Sequence, residues 1–343
     1  MKRYLIASVL VLLGLVSIQT LSKQWLRSAA SEKSVGMASI QTQPKQWQPL
    51  DGHTQIPIWP GTPPDSDSQT QSESATITSG KDMVAGKPYT WVENVTRPTL
   101  TLYSPKTNNT GAAIVVFPGG GYKGLAIDLE GSEVCDWLTS RGITCVLLKY
   151  RVPNSGPHYD DKCDCRADAK APMALEDAQR TLGLVRYHAA EWHIDPHKIG
   201  VIGFSAGGHM VADISTHWGK RLYLTIDDAD KESCRPDFAV AVYPGHMLEK
   251  TKKEFELNPT LPVSKETPPT FLLQSVKDPV DNVQNSLVYF IALRKAGVSV
   301  EMHLYAEGGH GFGLRRTQMA ITEWAQLLEA WMRSIQILPA RSS

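Results

Sequence analysis

The sequence has no excess of charge of either sign. Its 343 residues include 35 Lys and Arg and 35 Asp and Glu, so the formal net charge at pH 7 is zero. No basic stripe points to nucleic acid, and no acidic tail points to a basic partner. The sequence has no internal repeat, and its length allows one or two domains with a large core. We therefore expect a globular protein with no nucleic-acid partner.

Long apolar runs are scarce as well. The one at the N-terminus, residues 5–18, follows Lys2 and Arg3. It is shorter than the roughly 20 residues that a membrane helix needs. It predicts a secretory signal peptide within residues 1–30, with small residues at 28–30 for cleavage. An uncleaved membrane anchor is the alternative, and no cysteine follows the run as a lipoprotein anchor requires. We expect an exported protein, periplasmic or secreted, that contacts a membrane only if this segment stays uncleaved.

Cysteines are few, and their number is odd. They are Cys135, Cys145, Cys163, Cys165 and Cys234. The first two fall on a predicted amphipathic helix and an apolar strand, so we expect buried thiols. The other three fall in loops, where export would permit one disulfide among them. Cys163 and Cys165 with His158 do not have a standard zinc-ligand spacing, so no metal site is expected.

The chain divides by composition after the N-terminal run. Residues 31–80 are rich in Gln, Ser, Thr and Pro and predict a polar linker or arm. An apolar stretch at 56–60 interrupts this arm, and we expect it to dock there on the main domain, residues 81–338. Within that domain apolar strands alternate with amphipathic helices. This alternation predicts an α/β fold with a mostly parallel central sheet and helices on both faces.

A serine stands at the centre of the strongest motif. The segment Gly203-Phe204-Ser205-Ala206-Gly207 matches G-x-S-x-G, with an apolar strand before it and a helical segment after it. This is the pattern of a nucleophile elbow, in which the serine occupies a strained turn between strand and helix. The alternative is an ordinary serine in a glycine-rich turn. We interpret Ser205 as the candidate nucleophile.

Two further residues follow predicted strands and complete a catalytic set. Asp278 comes after the strand at 270–275, and His310 lies among glycines after the strand at 300–305. The order Ser, Asp, His is that of α/β hydrolases. His310 would act as general base, and Asp278 would orient its imidazole. Asp281 lies on the same loop as Asp278 and is a competing candidate for the acid, while His209 is interpreted as structural.

A glycine loop, Pro118 to Tyr122, follows an early strand, where α/β hydrolases place their oxyanion loop. We expect the N–H groups of Gly120, Gly121 and Ala206 to bind the oxyanion. A phosphate-binding loop is the alternative, but neither a Lys-Ser/Thr pair nor a G-x-G-x-x-G context accompanies these glycines. Tyr122 and Phe312 are expected to narrow an acyl pocket and to offer a flat face to a sugar ring.

Several segments together resemble one family. They are Gly119–Tyr122, Leu148–Arg151, Asp177–Arg180, Gly203–His209, Arg235–Phe238 and Gly308–Gly313. They look like exported bacterial α/β-hydrolase esterases, the acetyl xylan and feruloyl esterases, and the likeness runs from about residue 59 to 331. It implies a serine esterase that needs no metal or other cofactor and acts on short acyl esters of plant polysaccharide.

The resemblance is incomplete at two places, and it leaves rival functions open. Lys277 precedes Asp278 where such esterases often have a second acid, and the insert around Cys163 has no counterpart. A serine peptidase of the same fold is one rival, although such peptidases usually carry a propeller or large lid for which the N-terminal region is too short and polar. A catalytically inactive binding protein is another. The oligomeric state stays open.

Overall fold

A large mixed sheet organises the part of the chain that the computed structural model describes, residues 46–66, 71–154, 159–160, 165–166, 171–248 and 255–340. The expected signal peptide, residues 1–30, lies outside the described residues. So do Cys163 and His158 and the side chain of Cys165. Within the described ranges, no helix is long and apolar enough to cross a membrane.

Thirteen strands are present in the described residues. They are β1 (Gln55–Pro57), β2 (Ser74–Ile77), β3 (Thr90–Glu93), β4 (Thr99–Tyr103), β5 (Ala113–Phe117), β6 (Leu125–Ala126), β7 (Thr144–Lys149), β8 (Tyr159–Asp160), β9 (Cys165–Arg166), β10 (Ile199–Phe204), β11 (Ala239–Val242), β12 (Thr270–Ser275) and β13 (Val300–Tyr305). Eight of them form the main sheet in the order β1-β4-β7-β5-β10-β11-β12-β13. The six strands from β7 to β13 in this order run parallel, and β4 is antiparallel to both of its neighbours, β7 and β1.

The burial of the strands explains this arrangement. Every residue of β5, β7, β10, β11 and β12 is buried, as expected for parallel strands covered on both faces. Strand β13 is half-exposed and lies at the edge. The described helices are α1 (Glu133–Ser140), α2 (Ala171–Tyr187), α3 (Ala206–Thr216), α4 (Gln284–Lys295) and α5 (Ala325–Ser334). The predicted mostly parallel sheet is confirmed.

The N-terminal arm is part of the fold rather than a linker. Strand β1 pairs with β4 in the main sheet, and β2 pairs with β3 in a smaller antiparallel sheet. Between them, Ile58 and Trp59 are buried in the core. The catalytic unit therefore begins well before residue 81, the boundary expected from composition, because the few apolar residues of this polar stretch are enough to anchor it.

Buried polar contacts hold the arm in place. The indole Nε1 of Trp59 donates to Asp177 Oδ1 at 2.8 Å, and the ammonium of Lys149 pairs with Glu73 at 2.7 Å. Asp177 also pairs with Arg151 at 3.0 Å, and the guanidinium of Arg151 is almost fully buried. Charges are rarely buried unless they are paired. Lys149 therefore depends on Glu73 of the arm, and Arg151 depends on Asp177, which also accepts the hydrogen bond from Trp59.

The cysteines differ from the sequence-based expectation. Cys135 on α1 and Cys145 on β7 form a disulfide, with Cα atoms 5.1 Å apart, instead of two buried thiols. Helix α1 packs directly on the strand that follows it, which brings the two side chains together in the core. Cys234, expected as a candidate for a loop disulfide, is a buried free thiol whose Sγ lies 3.3 Å from the Trp218 carbonyl oxygen.

Candidate active site

Ser205 sits on a strained turn between β10 and α3. Its φ of 53° and ψ of −117° are unusual for a residue with a side chain. A Cβ on Gly203 would lie 2.0 Å from the carbonyl oxygen of Gly207, and one on Gly207 would lie 2.1 Å from that of Phe117. Both positions therefore require glycine, as the elbow motif predicts. The turn presents the serine at the carboxyl end of β10.

His310 and Asp278 meet at the same edge of the sheet. The imidazole Nδ1 lies 2.8 Å from Asp278 Oδ2, and this carboxylate is fully buried. Gln274 donates to Oδ2 of Asp278, and the N–H groups of Val280 and Asp281 donate to Oδ1. Asp278 is thus held in place by its own loop, with one oxygen directed at His310.

Asp281 lies on the other side of the imidazole. Its Oδ2 is 3.3 Å from the hydroxyl of Ser205, which donates to it, and 3.8 Å from Nε2 of His310. Burial raises the pKa of Asp281, and the charge of His310 opposes that shift. The two acids on this loop therefore contact different atoms of the site. Asp278 contacts Nδ1 of His310, whereas Asp281 lies near Nε2 of His310 and contacts the Ser205 hydroxyl.

The surroundings of His310 favour its protonated form. Burial alone lowers the pKa of the imidazole. Together, the hydrogen bond and charge of Asp278 and the charges of Glu130 and Asp281 outweigh this effect, so the pKa of His310 lies above its ordinary value. A raised pKa makes the imidazole a stronger base once it is neutral.

Glu130 is a buried carboxylate that sequence reasoning missed. It lies in a short π-helical turn, Asp128–Ser132, and is only 3% exposed. Its Oε2 accepts the N–H of Gly119 at 2.8 Å, and its Oε1 accepts the hydroxyl of Tyr243 at 2.7 Å. The same hydroxyl accepts the N–H of Gly313 at 3.0 Å. Glu130 thereby joins the glycine loop to the loop that carries His310. Burial raises its pKa.

The glycine loop lies beside the serine, as predicted. Gly120 and Gly121 line the same cavity as Ser205, with φ values of 145° and 62°. The N–H of Gly119 donates to Glu130, so the N–H groups of Gly120 and Gly121 remain as candidate oxyanion donors. Ala206 opens α3, where the first N–H groups of a helix have no partner within the helix. The oxyanion role of these three groups stays a prediction.

Tyr122 and Phe312 do not line the cavity, in contrast to the sequence-based expectation. Tyr122 is 4% exposed, and its hydroxyl lies 2.8 Å from Nδ1 of His209 beneath the elbow. Burial lowers the pKa of His209 to about 4, so this imidazole is neutral at pH 7. Phe312 is 4% exposed and packs against Tyr243, with ring centres 4.8 Å apart. Both side chains therefore pack against residues that surround the cavity, and neither lines it.

A cavity of about 410 Å³ opens above these groups. Its lining comprises Tyr89, Trp91, Gly119, Gly120, Gly121, Lys123, Ala126, Leu129, Glu130, Ser205, His246, Val280, Asp281, His310 and Gly311. Two of these side chains are aromatic: Tyr89 immediately precedes β3, and Trp91 lies within it. The sequence showed no motif in this region. Among the described residues, no cluster of His, Cys, Asp and Glu could hold a metal ion. The cavity thus combines one candidate nucleophile, two imidazoles and two carboxylates with aromatic walls.

A family model matches this part of the chain. The model of the prolyl oligopeptidase family covers residues 133–335, which include Ser205, Asp278 and His310. The chain belongs to the prolyl oligopeptidase family. This family has the α/β-hydrolase fold, which the order and direction of the strands show as well. The resemblance inferred from the sequence is confirmed for family and fold.

Named relatives of this family member are ester- and xylan-degrading enzymes. An acetylxylan esterase of Xylanibacter ruminicola is 30% identical over 249 residues, which cover 66% of this chain and 46% of that protein. Endo-1,4-beta-xylanase B of Butyrivibrio fibrisolvens is 28% identical over 62% of this chain and 34% of that protein. The chain therefore spans less than half the length of either of these relatives.

One solved structure resembles this chain over a larger share of both proteins. The acetyl ester-xyloside bifunctional hydrolase of Caldicellulosiruptor lactoaceticus has a TM-score of 0.62 and 32% identity. The match covers 83% of this chain and 97% of that one. An esterase of Thermogutta terrifontis has a TM-score of 0.58 at 22% identity and supports the fold alone.

Proposed function

We propose that this protein is a serine esterase with Ser205 as nucleophile, His310 as general base and Asp278 as the orienting acid. The observation that carries the proposal is the 2.8 Å contact between Nδ1 of His310 and Asp278 Oδ2 beside the strained serine turn. It favours Asp278 over Asp281 as the orienting acid, because Asp281 lies on the Nε2 side instead.

The reaction follows from this geometry. Ser205 Oγ attacks the acyl carbon while Nε2 of His310 takes its proton, and the carbonyl oxygen of the ester becomes an oxyanion facing Gly120, Gly121 and Ala206. Collapse of this intermediate breaks the bond to the alcohol, whose oxygen receives the proton from Nε2. Water then repeats the sequence on the acyl-serine and releases the carboxylic acid.

We propose short acyl groups, acetyl above all, on xylan or its oligosaccharides as the substrate. The names of the acetylxylan esterase and the acetyl ester-xyloside hydrolase support this choice. The aromatic rings of Tyr89 and Trp91 in the cavity also suit a sugar ring. Export would bring the enzyme to such polymers, and the buried disulfide Cys135–Cys145 is consistent with an oxidising compartment.

A peptidase is the second candidate, because the matching family is named for one. A panel of substrates separates the two: p-nitrophenyl acetate, p-nitrophenyl octanoate, acetylated xylo-oligosaccharides and prolyl p-nitroanilides. We expect rapid acetate release, and kcat/KM lower by about tenfold or more on the octanoyl ester. Equal rates on octanoate would remove the acetyl preference, and cleavage of the anilides at a higher kcat/KM would replace the esterase with a peptidase.

Ser205→Ala tests the nucleophile. Because the triad acts as a unit, kcat on p-nitrophenyl acetate should fall by a factor on the order of 10³ to 10⁶. Labelling by a fluorophosphonate should disappear together with activity, while thermal unfolding stays that of the wild type. If more than about a tenth of the activity remains, another group is the nucleophile.

A further inference from the structure

Asp281 is a carboxylate in the cavity that the proposed reaction does not use. Its Oδ2 accepts the Ser205 hydroxyl at 3.3 Å, whereas Oδ1 accepts no hydrogen bond from the residues that the structure describes. The side chain is 19% exposed and lines the cavity. A Cβ on Gly245 would lie 2.5 Å from Oδ1, so the glycine leaves the space that this oxygen occupies. The site thus holds a carboxylate that lines the cavity and has one oxygen without a hydrogen bond from the described residues.

The backbone of residues 243–246, next to Asp281, is strained. Tyr243 and His246, on either side of Pro244 and Gly245, both have positive φ, 39° and 56°. The N–H of Gly245 donates to the carbonyl oxygen of Ser205 at 3.3 Å and ties this turn to the elbow. The turn also brings His246 to the cavity wall. Strain of this kind persists where the surrounding structure holds it, and it is concentrated at functional sites.

The position of Asp281 relative to His310 indicates which part of a substrate it would meet. In ester hydrolysis, Nε2 of His310 must protonate the oxygen of the departing alcohol. Asp281 Oδ2 lies 3.8 Å from that nitrogen, so the alcohol carbon next to the ester has to come close to this carboxylate. The carbonyl oxygen of the ester, by contrast, must face the glycine loop in this reaction.

We propose that Asp281 binds a hydroxyl group of the alcohol part of the substrate, on the carbon adjacent to the ester, as found in pyranose rings. This inference rests on the proposed esterase function and adds the substrate class of the alcohol side. Oδ1 accepts a hydrogen bond from the substrate hydroxyl, while the Ser205 hydroxyl turns from Oδ2 to Nε2 of His310, which takes its proton. Hydrogen bonds to a charged acceptor are stronger than neutral ones, so this contact discriminates polyhydroxy alcohols from simple ones.

A pair of matched esters tests this directly. Cyclohexyl acetate and the monoacetate of trans-1,2-cyclohexanediol share the ring and the acyl group and differ in the adjacent hydroxyl. The quantity measured is the ratio of kcat/KM for the hydroxy ester to kcat/KM for the plain one, in the wild type and in Asp281→Asn. We expect this ratio to fall by about tenfold or more in the variant.

Two control variants separate this role from others. Asp278→Asn should lower kcat/KM on both esters and leave the ratio unchanged. Asp228→Asn, at an exposed 3-10 turn, should also leave the ratio unchanged. Thermal unfolding checks that each protein is folded, and Asp281→Ser replaces Asp281→Asn if that variant does not fold.

Two results would overturn the proposal. One is a ratio within about twofold of wild type in the Asp281 variant. The other is an equal loss on both esters as large as that of Asp278→Asn, which would mean that Asp281 acts on His310. Failure of the wild type on acetylated xylo-oligosaccharides would refute the xylan assignment instead, since the cyclohexyl esters do not depend on it.

Discussion

Replacing Glu130 separates the charge of a buried carboxylate from its hydrogen bonds. Glutamine keeps the shape: its carbonyl oxygen can accept the N–H of Gly119, and its amide nitrogen can donate to the Tyr243 oxygen, although the Tyr243 hydroxyl then loses its own acceptor. Alanine leaves both of these donors without their acceptor. The two variants therefore differ in what they remove: Glu130→Gln removes charge, and Glu130→Ala removes the connection between the two loops.

The structure sets the size of each effect. Each hydrogen bond to a buried charge contributes about 1.5 kcal/mol or more, so Glu130→Ala should destabilise the fold by about 3 kcal/mol. Release of the glycine loop should also lower kcat/KM by about 100-fold, since small misplacements of catalytic groups cost that much. The charge of Glu130 raises the pKa of His310. Removing it in Glu130→Gln lowers that pKa, and because the neutral imidazole is the active base, activity should appear at lower pH.

Two assays check this reasoning. Urea denaturation measures the loss of stability in Glu130→Ala, and the pH dependence of kcat/KM on p-nitrophenyl acetate locates the rising limb in Glu130→Gln. Glu301→Gln is the matched control, because Glu301 pairs with His303 at 2.8 Å away from the cavity lining. A rising limb that does not move, or moves to higher pH, would refute the electrostatic part. Wild-type kcat/KM in Glu130→Ala would refute the positioning part.

Two further predictions follow from packing. Replacing Cys135 and Cys145 by alanine should cost about 3 kcal/mol of unfolding free energy, the value for a loop of roughly ten residues, as measured by denaturation of oxidised wild type and variant. An unchanged denaturation midpoint would contradict it. Gly207→Ala should lower esterase kcat/KM by about 100-fold, because the added Cβ would lie 2.1 Å from the carbonyl oxygen of Phe117. Gly219→Ala, with nothing within 4 Å of its added Cβ, is the control and should keep wild-type activity.

The sequence was most informative where chemistry and backbone requirements coincide. Gly203 and Gly207 flank Ser205 because no side chain fits at either position, so the elbow is legible as a motif. Strands β12 and β13, which precede Asp278 and His310, pair in parallel, and their common direction places both residues at one edge of the sheet. The fold and the positions of these side chains could therefore be predicted.

Other parts of the site depend on tertiary contacts that leave no periodic pattern. Glu130 lies in a π-helical turn, which has no sequence signature of its own. Tyr122 has a φ of 56°, rare for an aromatic residue, and its hydroxyl meets His209 instead of the cavity. The pairing of Cys135 with Cys145 required knowing that α1 packs on β7.

The arm that supplies β1 also protects the edge of the sheet. Strand β1 is only three residues long and contains Pro57, so it offers a poor template for pairing with another chain. A chain cut back to residue 81 would lose this cover and expose the longer edge of β4. It would also leave Lys149 without Glu73 in the interior, at a cost of about 3 to 5 kcal/mol. Both the stability of the catalytic unit and its resistance to aggregation thus depend on the N-terminal arm, although the composition of this arm is that of a polar linker.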